Sequence, residues 1–523
     1  MQLDVAILGG GLAGAALARQ LRRRLPDLSI GLFERDDDGG FKVGESTVEI
    51  ASNYLVRRLG LGSYLYQNHL PKNGLRFFFD DEARSQPIER MGEIGTDALP
   101  FHASFQVDRQ RLDRDLRTMN ADAGVHVHTG VRVVDVQPGG DGVPHRFAFE
   151  DGERRTDVQA RWLVDASGRA RLLARALGES RTDTGHGLAA AWGRFEHVVD
   201  MDDTGSASWR GRVRNTSRFL STNHFMYPGY WIWFIPISRG VMSVGVVCDR
   251  ALFREEWRTI PGLTAFVREH RACRDLLEGA SPLDAMGYAK VPYGGGAFFS
   301  ADRWARVGEA NAFSDPLYSP GSDFIALEND FTTELIASEI GGATKAELAE
   351  KVALFDAFVH FRFDATLLLY RGLYGTLGSY ALYSLKWDLD IHAYYNLWYQ
   401  AYALDQHLDV GELRGQLALR GPVLTQMANF SRLFATAATR MRGRGDYFSD
   451  NLGVYSHPLR AIDFVAEVGR PRPRKQILRA LSAISNVTRA RVIDLLEGNT
   501  VAREPWPLGA YMLERDLLQE ANP

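Results

Sequence analysis

The first fourteen residues constrain this chain more than any other stretch. Residues 3–8 (LDVAIL) form a short apolar run of strand formers, which passes directly into Gly9-Gly10-Gly11-Leu12-Ala13-Gly14. An alanine-rich helical segment follows to about Arg24 and is broken by Pro26 and Asp27. Residues 29–33 (SIGLF) read as a second strand, which ends at Glu34 with Arg35 beside it. The three glycines Gly9, Gly11 and Gly14 meet three backbone needs: a tight turn, close approach to a pyrophosphate, and helix-on-strand contact. The helix that opens at Leu12 and Ala13 presents unpaired N–H groups to phosphate. Glu34, twenty residues after Gly14, stands where ribose hydroxyls need an acceptor. This strand–turn–helix–strand unit predicts the start of a parallel dinucleotide-binding sheet.

Further along, short strand-like runs alternate with turns from about residue 75 to 292, among them residues 125–129, 131–136, 231–236 and 241–248. Much of this stretch is expected to form an antiparallel sheet that floors a substrate chamber. Helical periodicity takes over from about residue 322. The apolar stretch 365–384 reads as a buried helix, because Arg371 and several glycines interrupt it too often for a membrane span. At 523 residues the chain needs more than one core.

A net charge of -4 gives no electrostatic reason to expect nucleic acid as a partner. Two cysteines, Cys248 and Cys273, are too few for a disulfide framework or a metal cage, and they fit a reducing compartment. With no secretory pattern at the start, a cytoplasmic location is expected. Neither metal-ligand spacing nor a Ser/His/Asp constellation is recognisable, and His69, His102 and His224 read as structural histidines.

Two distal segments separate FAD from NAD. Residues 161–169 end in Asp165-Ala-Ser-Gly168-Arg169, and residues 307–316 contain Gly308-Glu309 and Asp315-Pro316. With Val107-Asp108-Arg109 and Asp113, they resemble in order and spacing the motifs of the FAD-dependent monooxygenase and halogenase superfamily across about the first 330 residues. The resemblance implies that Asp165 and Gly168 lie along the adenosine side of FAD and that Arg109 contacts it. It also implies that the loop from Gly308 to Asp315 follows the ribityl chain. Where the family has Gly-Asp this chain has Gly308-Glu309, a carboxylate one methylene longer.

Trp231-Ile-Trp233-Phe-Ile235-Pro236 resembles the W-x-W-x-I-P signature of the flavin-dependent halogenases, although alternating tryptophans also suit one face of a core strand. Gly44-Glu45-Ser46 looks like the family's mobile segment beside the flavin, and Pro71-Lys72 like the setting of its essential lysine. The resemblance implies that reduced flavin, delivered by a separate reductase, turns O2 and halide into hypohalous acid. Lys72 would relay that oxidant, with Glu45 nearby, to an electron-rich phenol- or pyrrole-like ring, free or carrier-bound. Such chemistry belongs to secondary metabolism and antibiotic biosynthesis.

One departure counts against this. The halide-binding pair of amides falls at Ser319-Pro320, and proline has no N–H. Gly321 and Ser322 still offer amides at the following helix start. Tyr318 stands where the tryptophan-specific enzymes carry a carboxylate. A halide-independent monooxygenase or dehydrogenase on the same scaffold therefore remains the alternative, followed by a non-catalytic flavin-binding accessory protein.

The expected fold is α/β. Residues 1–75, 105–180 and 293–340 form a discontinuous FAD-binding Rossmann-like domain of the glutathione-reductase type. Residues 76–104 and 181–292 form the antiparallel substrate sheet, and residues 341–523 a helical C-terminal region.

Overall fold

The strand Gln2–Leu8 lies inside an eight-stranded sheet in the computed structural model, which describes every residue except 38–39, 101, 141, 239, 457–468 and 500–523. Val5, Ala6, Ile7 and Leu8 are wholly buried, as a strand covered on both faces requires. Ile30–Phe33 pairs with this strand in parallel on one side and Arg154–Asp165 on the other. His126–His128 and Trp304–Arg306 continue the parallel core outward. The chain leaves the central strand first to one side and later to the other, so a crevice opens at the carboxyl ends of the strands. Those ends are level, with Leu8 in register with both Phe33 and Asp165.

Gly9 and Gly14 make the close approach at this edge sterically possible. Gly9 has φ +111°, and a Cβ there would sit 2.3 Å from the Ala166 carbonyl oxygen. A Cβ on Gly14 would sit 2.0 Å from the Gly9 carbonyl oxygen. Neither position accepts a side chain without moving backbone.

The second sheet has nine strands. Leu188–Glu196, Val241–Asp249, Tyr230–Pro236 and Thr222–Tyr227 are successive antiparallel neighbours, as expected. Leu75–Phe79 departs from the expectation and runs parallel to Thr222–Tyr227. Roughly 140 residues separate the two strands, so no hairpin imposes the antiparallel sense. The strand period of two sorts side chains cleanly along Tyr230–Pro236. Trp231, Trp233 and Ile235 join the core facing the first sheet, whereas Ile232 and Phe234 join the core behind, under Ile260–Arg268.

Helices dominate from Pro320–Ile340 onward, followed by Lys345–Leu368, Tyr380–Ala393, Arg420–Arg444 and Arg474–Glu497. The Lys345–Leu368 helix starts at a capping box between Thr344 and Glu347. The buried helix expected over 365–384 is instead two helix ends. The first helix stops at Leu368, Gly372 takes φ +76°, and a new helix begins at Tyr380. Parts of the expected helical region, 457–468 and 500–523, lie outside the described residues. Among the described residues no helix is long and apolar enough to cross a membrane.

Candidate active site

The glycine turn feeds a helix whose positive end is left uncompensated. Leu12–Arg24 has Gly11 as N-cap, no capping side chain and no acidic residue in its first turn. Beyond Gly11 a Cβ would meet nothing nearer than Asp113 at 3.7 Å, so this side of the turn is open to a phosphate. Glu34 accepts from the Gly10 N–H at 2.5 Å and from the Asp36 N–H at 3.1 Å, which fixes its carboxylate beside the turn. Arg35 points outward and pairs with Asp36 at 3.3 Å.

A cavity continues from this edge toward the second sheet. Its walls include Leu12, Gly44, Glu45, Ser46, Arg109 and Glu309, and also Ser319, Gly321 and Ser322. Arg109 bonds Asp113 at 3.2 Å and the carbonyls of Val43 and Gly44, so one guanidinium holds the Gly44–Ser46 segment against the nucleotide-binding region. Glu309 lies 3.6 Å from Arg169, whose guanidinium stacks over Tyr288. Buried Glu45 bonds Arg194 at 2.8 Å; burial pushes its carboxyl up, and Arg194 opposes that shift. The opposite wall is Trp231, Trp233, Ile235 and His224. The indole N–H of Trp231 donates to Tyr374 at 3.1 Å, and that of Trp233 to Ser243 at 3.1 Å. Pro236 ends the same strand. A turn open to phosphate, running into a long cavity with an aromatic far wall, fits a flavin dinucleotide.

Two of the anticipated ligands sit behind the cavity. Asp165 is fully buried, and its carboxylate accepts from the Ser167 N–H, the Ser167 hydroxyl and the Leu173 N–H. Its oxygens face that turn, which also contains Gly168 at φ +58°. Replacing Asp165 with Ala should cost roughly 2–4 kcal/mol, because two buried amides lose their acceptor. Thermal unfolding measures this, and a loss under about 1 kcal/mol would show that the turn does not depend on the carboxylate. Asp315 is likewise enclosed, accepting from His186 at 2.7 Å, Tyr374 at 2.9 Å and the Leu317 N–H at 2.8 Å. Its neighbours Ser314 and Pro316 reach the cavity wall.

Lys72 occupies the partition between this cavity and a second one. Its ammonium donates to the Ser46 hydroxyl at 2.8 Å and to the Thr47 carbonyl at 2.8 Å. Ser46 lines the first cavity, and Lys72 lines the second. Burial pulls the Lys72 pKa down to about 8, against the attraction of Glu49 and Asp323. The loop at 318–320 forms another part of the partition, with Ser319 on the first cavity and Tyr318 and Pro320 on the second. Tyr318 and Ser319 both have left-handed backbones, at φ +67° and +57°, a costly pairing for two non-glycine residues. The Ser319 N–H is already donated to the Pro316 carbonyl at 2.9 Å. Gly321 and Ser322 follow in the first turn of a helix with no capping side chain.

The second cavity is mainly aromatic and aliphatic, with Trp387, Tyr394 and Trp398 among its walls. Tyr394–Tyr399 is a π-helical segment, a widened turn that often marks functional sites and here brings consecutive aromatic residues toward the cavity. Sequence reasoning missed its acidic lining. Asp323 accepts from the Ala51 N–H and from Tyr394, and burial raises its carboxyl to about 7. Glu49 accepts from Tyr395 at 2.7 Å. Neither residue sits in a recognisable motif, and their partners lie 71 to 346 positions away. Of the three histidines, burial depresses His69 to about 4 and His224 to about 3, His224 lines the first cavity, and His102 packs against Tyr399. Among the described residues no cluster is suited to a metal ion.

Residues 2–226 match the family model described as an FAD binding domain. The fold and this site define an FAD-dependent oxidoreductase, a flavoprotein. Within that class the chain resembles the flavin-dependent halogenases. It is 29% identical to flavin-dependent halogenase chlA of Dictyostelium discoideum, over 77% of this chain and 71% of that protein. It is 26% identical to the 1H-pyrrole-2-carbonyl peptidyl-carrier-protein chlorinase of Pseudomonas fluorescens, over 61% of this chain and 72% of that protein. In fold it is similar to halogenase PltM (TM-score 0.68, 15% identity, 95% of this chain and 96% of that one). Brominase Bmp2 gives a TM-score of 0.58 at 22% identity, over 72% of this chain and 87% of that one.

Proposed function

We propose that the protein is a halogenase of an electron-rich aromatic ring, phenol- or pyrrole-like. The observation that carries this reading is the place of Lys72, bonded to Ser46 on the flavin-side cavity and lining the aromatic one. FAD, reduced by a separate reductase, supplies the electrons with which O2 and halide become hypohalous acid. Two of the Lys72 N–H bonds are spent on Ser46 and Thr47, which leaves the third to donate to the oxidant as it enters the aromatic cavity. Trp231 and Trp233 narrow the flavin side and exclude substrate from it. Glu45 holds its loop in place through Arg194. Gly9, Gly11, Gly14, Glu34, Arg109 and Glu309 are the proposed cofactor residues, with Asp165, Gly168 and Asp315 shaping the backbone around them.

Apart from Tyr455–Ser456, which joins the second sheet from beyond residue 341, the strand ranges of the two sheets support the division into a FAD-binding unit of glutathione-reductase type (1–75, 105–180, 293–340), a substrate sheet (76–104, 181–292) and a helical region from 341. Relatives named for pyrrole-2-carbonyl carrier proteins support a carrier-bound ring as one form of substrate.

The test supplies FAD, a flavin reductase, NADH and bromide with resorcinol and with a pyrrole-2-carboxyl thioester. Bromide-dependent product with the doublet isotope pattern is expected from at least one of them. One observation favours a second reading, halide-independent oxygenation: Pro320 lacks an N–H, and the Ser319 N–H is already engaged. Substrate oxidation that proceeds equally without bromide would establish that reading and end the first.

A further inference from the structure

Resting on the halogenase reading, we propose that the substrate is an aromatic ring carrying an aliphatic chain, and that the chain lies in a third cavity within the helical region. This cavity shares Leu369, Asp390, Ala393, Leu397 and Met427 with the aromatic cavity that Lys72 lines. The two cavities therefore adjoin, with these five side chains between them. Its far walls are Leu389, Val423, Phe430, Phe434 and Leu481, on the helices Tyr380–Ala393, Arg420–Arg444 and Arg474–Glu497.

The polar groups in its lining are mostly committed to one another. Lys386 pairs with Asp390, which also accepts from Tyr318 at 3.0 Å. Gln426 bonds Ser485, and Ser431 donates to the Leu368 carbonyl at 2.8 Å. Buried polar groups that are already paired ask nothing of a ligand, so what remains on offer is hydrocarbon surface. Interiors ordinarily close such space. From Pro422 to Phe434 the lining follows one helix for about 18 Å, room for a medium or long chain. Leu478, 37% exposed, adds an apolar residue to the far end of this lining.

The experiment uses the FAD-loaded enzyme with reductase and bromide, and compares resorcinol, 5-pentylresorcinol and 5-undecylresorcinol. Each buried methylene is worth up to about fourfold in affinity. The pentyl compound should therefore exceed resorcinol at least tenfold in kcat/KM, through KM. In Val423→Trp, and separately in Leu481→Trp, that ratio should collapse toward one. A ratio near one in the parent enzyme would overturn the inference, as would one unaltered by both substitutions. If none of the rings is brominated, it is the halogenase reading that fails. Calorimetric affinity for the FAD-loaded protein then decides the cavity, with tighter binding at each chain length supporting it and equal binding overturning it. A pantetheine thioester of pyrrole-2-carboxylate that binds more tightly than every alkyl compound would assign the cavity to a carrier arm instead.

Discussion

Replacing Lys72 with Met is expected to lower halogenation by about 10² to 10⁴-fold while FAD stays bound and the reduced flavin still consumes oxygen. The ammonium sits where the two cavities meet, so without it oxidant is formed but neither held nor aimed. Halogenation within tenfold of the parent would remove Lys72 from the mechanism. Met is preferred over Ala because it fills the same buried volume.

The same substitution carries an opposite prediction for stability. The Lys72 pKa falls from 10.5 to about 8 on folding, so the folded state binds its proton less tightly than the unfolded chain does. That difference destabilises the fold fully below about pH 8 and is relieved between about pH 8 and 10.5. At pH 7 Lys72→Met should therefore gain roughly 1–3 kcal/mol, less whatever the lost bonds to Ser46 and Thr47 contribute. The activity profile shares this origin: if the protonated amine is the working form, kcat/KM falls as pH rises through about 8. A limb of the reverse sign would mean that the neutral amine does the work, as a haloamine route demands.

The second large effect is a contrast between two glycines within six residues of the first strand. Gly14→Ala drives a methyl into the Gly9 carbonyl at 2.0 Å and should leave little folded, yellow protein. Gly11→Ala meets no protein atom within 3.5 Å, so the chain should fold with its melting temperature nearly intact. Its methyl nevertheless intrudes on the pyrophosphate path, and FAD affinity should drop at least tenfold. Flavin absorbance after dialysis, read beside thermal unfolding, separates the two outcomes. Equal loss of stability in both variants would mean that the turn is a packing feature alone.

Local chemistry wrote much of this protein into its sequence. The glycine spacing, the strand before it and Glu34 after it follow from short-range geometry, and the period-two tryptophans of Tyr230–Pro236 announce a strand with two unlike faces. The Pro71-Lys72 pair singled out a lysine, yet nothing local fixed its partners, because Ser46 and Thr47 arrive from a separate segment. The parallel pairing of Leu75–Phe79 with Thr222–Tyr227 was equally illegible, since chain excursion rather than strand pattern sets that sense. Only the family resemblance set Asp165 and Asp315 beside the cofactor, and folding shows that backbone amides, His186 and Tyr374 claim their oxygens.

The sequence by itself determined the nucleotide turn and the two-faced strand Tyr230–Pro236 from residues within a few positions of one another, whereas Lys72 was singled out by the family resemblance of its Pro71-Lys72 setting. Tertiary structure alone decided that Lys72 lies between two cavities, that Asp323 and Glu49 line the same cavity as it does, and that an aliphatic cavity adjoins the aromatic one. Those facts depend on segments hundreds of residues apart meeting in space, and burial, which sets both charge state and ligand chemistry there, exists only after they meet.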